Sequence, residues 1–234
     1  MAIIPQVITE DRASGGQVID GSLKFSNVTD TYLTRVIGSE SDARIATLSV
    51  WIKRTYLDSD DVWIYMRTNS NTSLYFDGST KTIKGNLRGT SGTNYFWNTD
   101  AVFRDTSGWY HIVAAWDTNQ ATESNRLKIY VNGVLQTLSG SICPQNTDQF
   151  AAGTFQIGVD NDGNSEGDYY MSNHYWIAGQ QLDASDFGFT DPLTNTWRPK
   201  SILAHMGLMV SISQWMETHP LEKISQVMET TGHQ

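Results

Sequence analysis

The stretch RLKIYVNGVLQ, residues 126–136, constrains the fold more than any other. Leu127, Ile129 and Val131 fall on one side of an extended chain, and Lys128 and Tyr130 on the other, because side chains alternate along a strand. Asn132-Gly133 follows, a pair that accepts the two positive φ angles of a type I′ hairpin turn. The same period of two recurs upstream. TLSVWIKR sets Leu48, Val50 and Ile52 against Ser49, Trp51 and Lys53. DVWIYMR sets Val62, Ile64 and Met66 against Trp63, Tyr65 and Arg67. In GWYHIVAAWDT both sides are largely apolar, which predicts a central strand. Asp77-Gly78, Ser107-Gly108 and Asp162-Gly163 add turn chemistry between the runs. About a dozen short strands at this spacing predict an all-β fold, an antiparallel β-sandwich. The helical signal before residue 200 is one short turn near LDASDFG.

Composition narrows the functional classes. Hydrophobic residues make up 39% and charged residues 18% of the 234, which suits a folded chain rather than a disordered one. A formal charge of −9 argues against nucleic acid or an anionic membrane as a general partner, since no basic patch is present to release counterions. The single cysteine, Cys143, excludes an intrachain disulfide and Cys/His zinc spacing. MAIIPQVITEDRASGG has neither the basic start nor the apolar run of a signal peptide. No apolar run is long enough to span a membrane as a helix.

The chain divides into a polar leader (1–19), a sandwich domain (20–200) and a tail (201–234) of different character. The tail holds Met206, Met209, Met216 and Met228 but no Asn or Tyr, and Pro220 would break any helix in it.

The order SLKFSN, TLSVWIKR, GWYHIVAAWDT, RLKIYVNGVLQ, FQIGVDN, YYMSNHYWIAGQQLDASDFG resembles the laminin-G-like, concanavalin A-like jelly-roll domains. The blocks AWDTNQATESNRLKIYVNGV, QQLDASDFG and NTWRPK are similar to a subgroup found in structural proteins of tailed bacteriophages. The resemblance implies a jelly roll over about residues 20–200. It also implies a non-enzymatic virion structural protein, in a tail fibre or adhesin, that meets the host surface or neighbouring virion proteins as a homo-oligomer. A lectin-like glycan-binding module, with or without calcium, is the alternative, and a glycoside hydrolase comes third. In the phage subgroup the segment after W-x-P-K continues Tyr-Gly-Thr-Asn-Gly-Phe. If Met206 onward is coded ATG-GGA-CTA-ATG-GTT-TC, the same bases read one base upstream give that string. The tail is therefore either an out-of-frame reading or a helical appendage.

Candidate site residues follow. Trp51, Trp63 and Tyr65 lie opposite the aliphatic side of their strands, and Tyr95, Trp97 and Tyr175 extend that set. Such aromatics would stack sugar rings, pack on a neighbouring subunit or be buried within the domain itself. The acidic loop GVDNDGNSEGDYYMSN offers oxygen ligands for calcium in Asp160 and Asp162. The resemblance adds Asn69 and Asn71 as the second contributors. The same loop could equally be an unoccupied acidic turn. A retaining glucanase needs two carboxyls about 5–5.5 Å apart, which an E-x-D-x-x-E strand supplies. Glu166 and Asp168 begin that pattern, but Met171 stands at its third acid; Glu40 and Asp42 are followed by Ile45. His111 has no nucleophile motif beside it and reads as structural.

Overall fold

The computed structural model describes residues 10–11, 16–17, 19, 21–26, 32–37, 43–57, 60–68, 72–88, 92–150, 153–160, 162, 167–200 and 209–211. They form two stacked sheets of seven strands each, with antiparallel pairing throughout the described ladders. The back sheet runs β12 (Val134–Leu135), β11 (Leu127–Val131), β10 (Tyr110–Asp117), β5 (Ile45–Arg54), β15 (Tyr169–Ala178). Two short strands, β3 (Leu23–Phe25) and β18 (Met209–Ser211), share the far edge of β15. The front sheet runs β13 (Leu138–Gly140), β9 (Asn94–Thr99), β8 (Ile83–Arg88), β7 (Ser73–Phe76), β6 (Val62–Arg67), β14 (Gly153–Ile157), β4 (Leu33–Ile37). Two small ribbons stand apart: β1 (Glu10–Asp11) with β2 (Gly16–Gln17), and β16 (Gly188–Thr190) with β17 (Trp197–Pro199).

This is the expected antiparallel jelly-roll sandwich. The Asn-Gly hairpin forms as its residues demand, with Asn132 at φ 49° and Gly133 at φ 81° joining β11 to β12. Strand β10 lies between β5 and β11 and is buried on both faces, as its double apolar pattern requires. Between the sheets an aromatic cluster fills the centre. Tyr65, Trp116, Phe150, Phe155 and Trp176 meet at ring-centroid distances of 4.3–6.3 Å. Tilted and edge-on geometries dominate there, in keeping with the ring quadrupoles.

Three of the expected surface aromatics face this core instead, Tyr95 at its margin and Tyr65 and Trp97 within it. Tyr65 and Trp97 are 0% and 2% exposed. A bulge accounts for Tyr65. Trp63 pairs with Tyr75 and Tyr65 with the next residue, Leu74, so Ile64 is an extra residue in β6. Past a bulge the alternation inverts, which turns Tyr65 inward and Met66 outward. Trp97 lies opposite Gly85, where a Cβ would overlap its indole. The missing side chain on β8 is what admits the largest residue of β9. Its neighbour Phe96 takes the outward position, 63% exposed.

A second, smaller core covers part of the outer face of the back sheet. Val113, Tyr175 and Ile177 pack there against Ala184 and Phe187, with Tyr130, Leu182 and Trp197 at the margin. Residues 179–200 form this cover, through a short 3₁₀ turn (Ala184–Asp186) and the β16–β17 ribbon. The described residues of the tail, 209–211, add to β15 as an edge strand. The rest of the tail, on which both the out-of-frame and the helical expectation bear, lies outside the described residues.

Candidate binding surface

The outer face of the front sheet carries one aromatic candidate, Trp63. Trp63 and Tyr75 are a cross-strand pair, half-buried, with ring centroids 4.4 Å apart and planes 30° from parallel. Lys84 pairs with Tyr75 on β8. One position beyond the Val62–Phe76 pair, Asp61 and Asp77 flank the two rings. Burial raises the Asp61 carboxyl above its usual value, and the nearby Asp77 charge adds to this against a hydrogen bond from the Gly78 amide. Burial acts on Asp77 too. There the bonds from Lys84 Nζ (2.7 Å) and from the Thr80 amide and hydroxyl (2.5 and 2.6 Å) outweigh it and hold the group low. The Tyr75 hydroxyl is pushed up to about 12 by burial and by the two carboxylates. Both oxygens of Asp77 are thus committed to the turn and to Lys84. The surface offers a stacked aromatic platform with an edge of fixed charge.

The acidic loop meets this platform. The Gly158 amide donates to the Trp63 carbonyl (3.1 Å), and Gly167, at φ 77°, approaches the Asp61 backbone too closely for a side chain. Within the loop the Asp162 amide donates to Asp160 Oδ1 (2.8 Å), which closes an Asx turn. Asp168 receives the Tyr56 hydroxyl at 3.3 Å. Met171, at the third position of the incomplete acid pattern, is 1% exposed in the core.

Asn69 and Asn71 lie outside the described residues, but the strand ends that carry their loop are fixed. Thr68 bonds to Thr154 at the start of β14, whereas the acidic loop leaves the end of β14 beside Trp63. Five residues of strand separate those ends, about 16 Å. The Gly158 and Gly167 backbones set the two ends of the acidic loop beside Trp63 and Asp61. Among the described residues no group of three or more His, Cys, Asp or Glu side chains converges as a metal site.

Trp51 keeps the outward position that its alternation predicts, on the back sheet, yet is only 8% exposed. It stacks on His111, its cross-strand partner, at 4.7 Å. His111 receives the indole N–H of Trp197 at Nδ1 (2.9 Å) and contacts Ser49 Oγ through Nε2 (2.9 Å). An indole nitrogen can only donate, so Nδ1 is the acceptor and Nε2 carries the proton. The imidazole therefore donates to Ser49 and cannot take its proton. This serine–histidine pair is not the nucleophile–base arrangement of a hydrolase. Burial lowers the His111 pKa to about 3 and keeps it neutral.

Sequence reading did not single out this clasp. Trp197 seats in a notch between Gly133 and Gly188, where a Cβ on either glycine would overlap its ring. The signal was present as two glycines and one tryptophan, but nothing local says that they meet.

Residues 20–172 match the family model Laminin_G_3, described as the concanavalin A-like lectin/glucanases superfamily, and the chain belongs to that family. Solved structures of low identity resemble it to differing degrees. The binding domain of Paraclostridial mosquitocidal protein 1 aligns with a TM-score of 0.53 at 12% identity, over 74% of this chain and 44% of that one. The botulinum neurotoxin serotype G binding domain aligns at 14% identity over 75% and 46%, with a TM-score of 0.49. The heptameric SAP-like pentraxin of Limulus polyphemus aligns at 20% identity over 64% and 70%, with a TM-score of 0.44. This chain spans less than half of either toxin chain. No curated protein matches it. Among the described residues no helix is long and apolar enough to cross a membrane.

Proposed function

We propose that this chain is a non-enzymatic binding domain of a bacteriophage virion, in a tail fibre or its adhesin, which contacts the host surface or a neighbouring virion protein. One observation carries the reading. The three blocks on which the phage resemblance rests pack on one another as a single unit. Gln181 Nε2 donates to the Asn125 carbonyl (2.8 Å), the Tyr130 hydroxyl donates to Asp183 Oδ1 (2.6 Å), and Trp197 bonds His111 over Gly133. Blocks that build one structural device are expected to travel together within a subgroup. The device also covers part of the outer face of the back sheet with the second core, while the Trp63–Tyr75 platform lies on the opposite sheet. Repeated along a fibre, such weak contacts gain strength by avidity.

The test is the composition of purified particles. Peptides of this chain should co-purify with capsid and tail proteins through a density gradient, and an antibody to the domain should decorate the fibre. A chain missing from the particles, and encoded away from capsid, portal and tail genes, would refute the virion assignment. On particles that carry it, Trp63→Ala should slow adsorption to host cells or weaken fibre assembly at temperatures where the domain stays folded.

A further inference from the structure

On one side the sandwich ends at two short strands, β12 on the back sheet and β13 on the front sheet. Among the described residues neither has a second neighbour in its sheet. The chain passes from one to the other through Gln136 and Thr137, so both sheets stop on the same side of the molecule.

The register fixes which backbone groups are left over there. The Asp100 amide donates to the Thr137 carbonyl (3.0 Å), the Ser141 amide donates to the Phe96 carbonyl (2.9 Å), and Ser139 pairs with Asn98. In an antiparallel ladder alternate residues bond to the neighbouring strand. Thr137, Ser139 and Ser141 therefore face β9, and the amides and carbonyls of Leu138 and Gly140 point away from it. On β12 the Gln136 amide donates to the Ile129 carbonyl (2.8 Å), which by the same alternation leaves Leu135 pointing outward.

Sheet edges are commonly blunted by charge, by proline or by a covering segment. The opposite side of the sandwich follows that practice: β4 carries Arg35, and β3 and β18 lie along β15. Strands β12 and β13 have none of these. From Ile129 to Thr147 no side chain is charged, the longest such run in the chain. Val134 and Leu135 are 63% and 55% exposed.

The open groups of β13 are spaced for a copy of themselves. With a twofold axis through Ser139, Leu138 of one copy faces Gly140 of the other, and the two residues exchange both of their hydrogen bonds. An axis through Leu138 would instead set Gly140 against Gln136, whose amide is already bonded to Ile129. The side chains fit the same register. Leu138 packs against the core between the sheets, and Gly140, two residues on, shares its face. Only glycine fits there, because its φ is 104° and a Cβ would overlap the Phe96 carbonyl. A cavity of about 580 Å³ opens between the two sheet edges, lined by Leu127, Leu135, Leu138, Gly140 and Ile142. The partner's Leu138 crosses Gly140 at the mouth of this cavity.

We propose that a second copy of this chain docks on the β12–β13 edge, pairing β13 with β13 about Ser139 and continuing the front sheet from one copy into the next. Charge favours this edge for self-contact: two copies of net charge −9 repel, and here they meet without an acid in either paired strand. Strand β13 has only three residues, so the ladder is short and the contact gains from a high local concentration. The proposal does not depend on the virion assignment.

The full chain should dimerise between about 10 μM and about 1 mM, read by sedimentation velocity. Ser139 is exposed, and its Cα and that of its mate across the axis would lie about 4.5 Å apart, within reach of a disulfide. Oxidised Ser139→Cys should therefore cross-link to itself, while Thr137→Cys and Ser141→Cys, both off the axis, should not. Cys143 is buried and stays out of this reaction. Ser139→Glu sets like charges across the axis beside Asp100, which accepts the Ser139 hydroxyl. It should weaken the dimer at least about tenfold, with an unchanged circular dichroism spectrum. Four results overturn the proposal: a chain that stays monomeric over this range, a dimer that Ser139→Glu leaves intact, no disulfide in Ser139→Cys, or equal cross-linking at all three cysteine positions.

Discussion

Trp197→Phe is the sharpest probe of how the outer cover is held. The substitution keeps an aromatic ring over Gly133 and Gly188 but deletes the N–H that His111 Nδ1 accepts. His111 is 1% exposed, so water cannot replace the lost donor without a local opening. An orphaned buried acceptor costs about 1–3 kcal/mol. For a domain of this size each kcal/mol moves the melting temperature by about 2–4 °C, giving a fall of roughly 2–12 °C. Trp197→Ala also removes the ring. Full burial of a tryptophan would make that about 3–5 kcal/mol, and the half-buried position points to the lower end. Thermal unfolding followed by far-UV circular dichroism at neutral pH reads both. Nitrogen chemical shifts of His111 give an independent check, since Nδ1 should be unprotonated and Nε2 protonated in the parent chain. A melting temperature within about 1 °C of the parent for Trp197→Ala would refute the clasp, as would a His111 protonated at Nδ1.

Other expectations follow from buried groups. His111 and His174 are held neutral by burial, with pKa values lowered to about 3 and about 4. Both folded values lie below the unfolded value of about 6.5, so between these limits the unfolded chain binds more protons and stability falls as the pH drops. With both histidines contributing, the slope approaches about 2.7 kcal/mol per pH unit between pH 6 and 5; the raised Asp61 carboxyl acts weakly in the opposite sense. Urea midpoints that stay flat from pH 7 to 5 would contradict this. Cys143 is 0% exposed and burial pushes its thiol up to about 11, so a thiol reagent at pH 8 should label it at the rate of unfolding. Labelling as fast as a free thiol would show that the site is open. The Asp160 carboxylate already serves an Asx turn, so millimolar calcium should leave the melting temperature unchanged. A ligand at about 100 times its dissociation constant would add about 2.7 kcal/mol, and a rise of that order would establish a calcium site.

Much of the fold could be read in the chain because its determinants are local. Alternation in β5, β10 and β11 and the positive-φ pair Asn132-Gly133 specify strands and a hairpin before any tertiary contact forms. The alternation of β6 misled at one residue, Ile64, since a bulge depends on how β7 is paired and leaves no local mark. That single insertion moved Tyr65 from the expected binding face into the core. Trp97 was misplaced for a related reason: its pocket is the absent side chain of Gly85 on the neighbouring strand.

The sequence by itself determined the secondary structure, the sandwich class and the central position of β10, because period, turn residues and apolar content act within a few residues of one another. Only the tertiary structure decided which tryptophans reach solvent. Trp51 and Trp63 hold outward positions, yet one backs onto His111 and the other stacks on Tyr75. The clasp of Trp197 on His111 joins residues 86 positions apart, and the bond from Ser172 to the Gly21 carbonyl spans 151. Contacts of that range depend on strand order and register, which fix the partner of each side chain and are set by the whole chain at once.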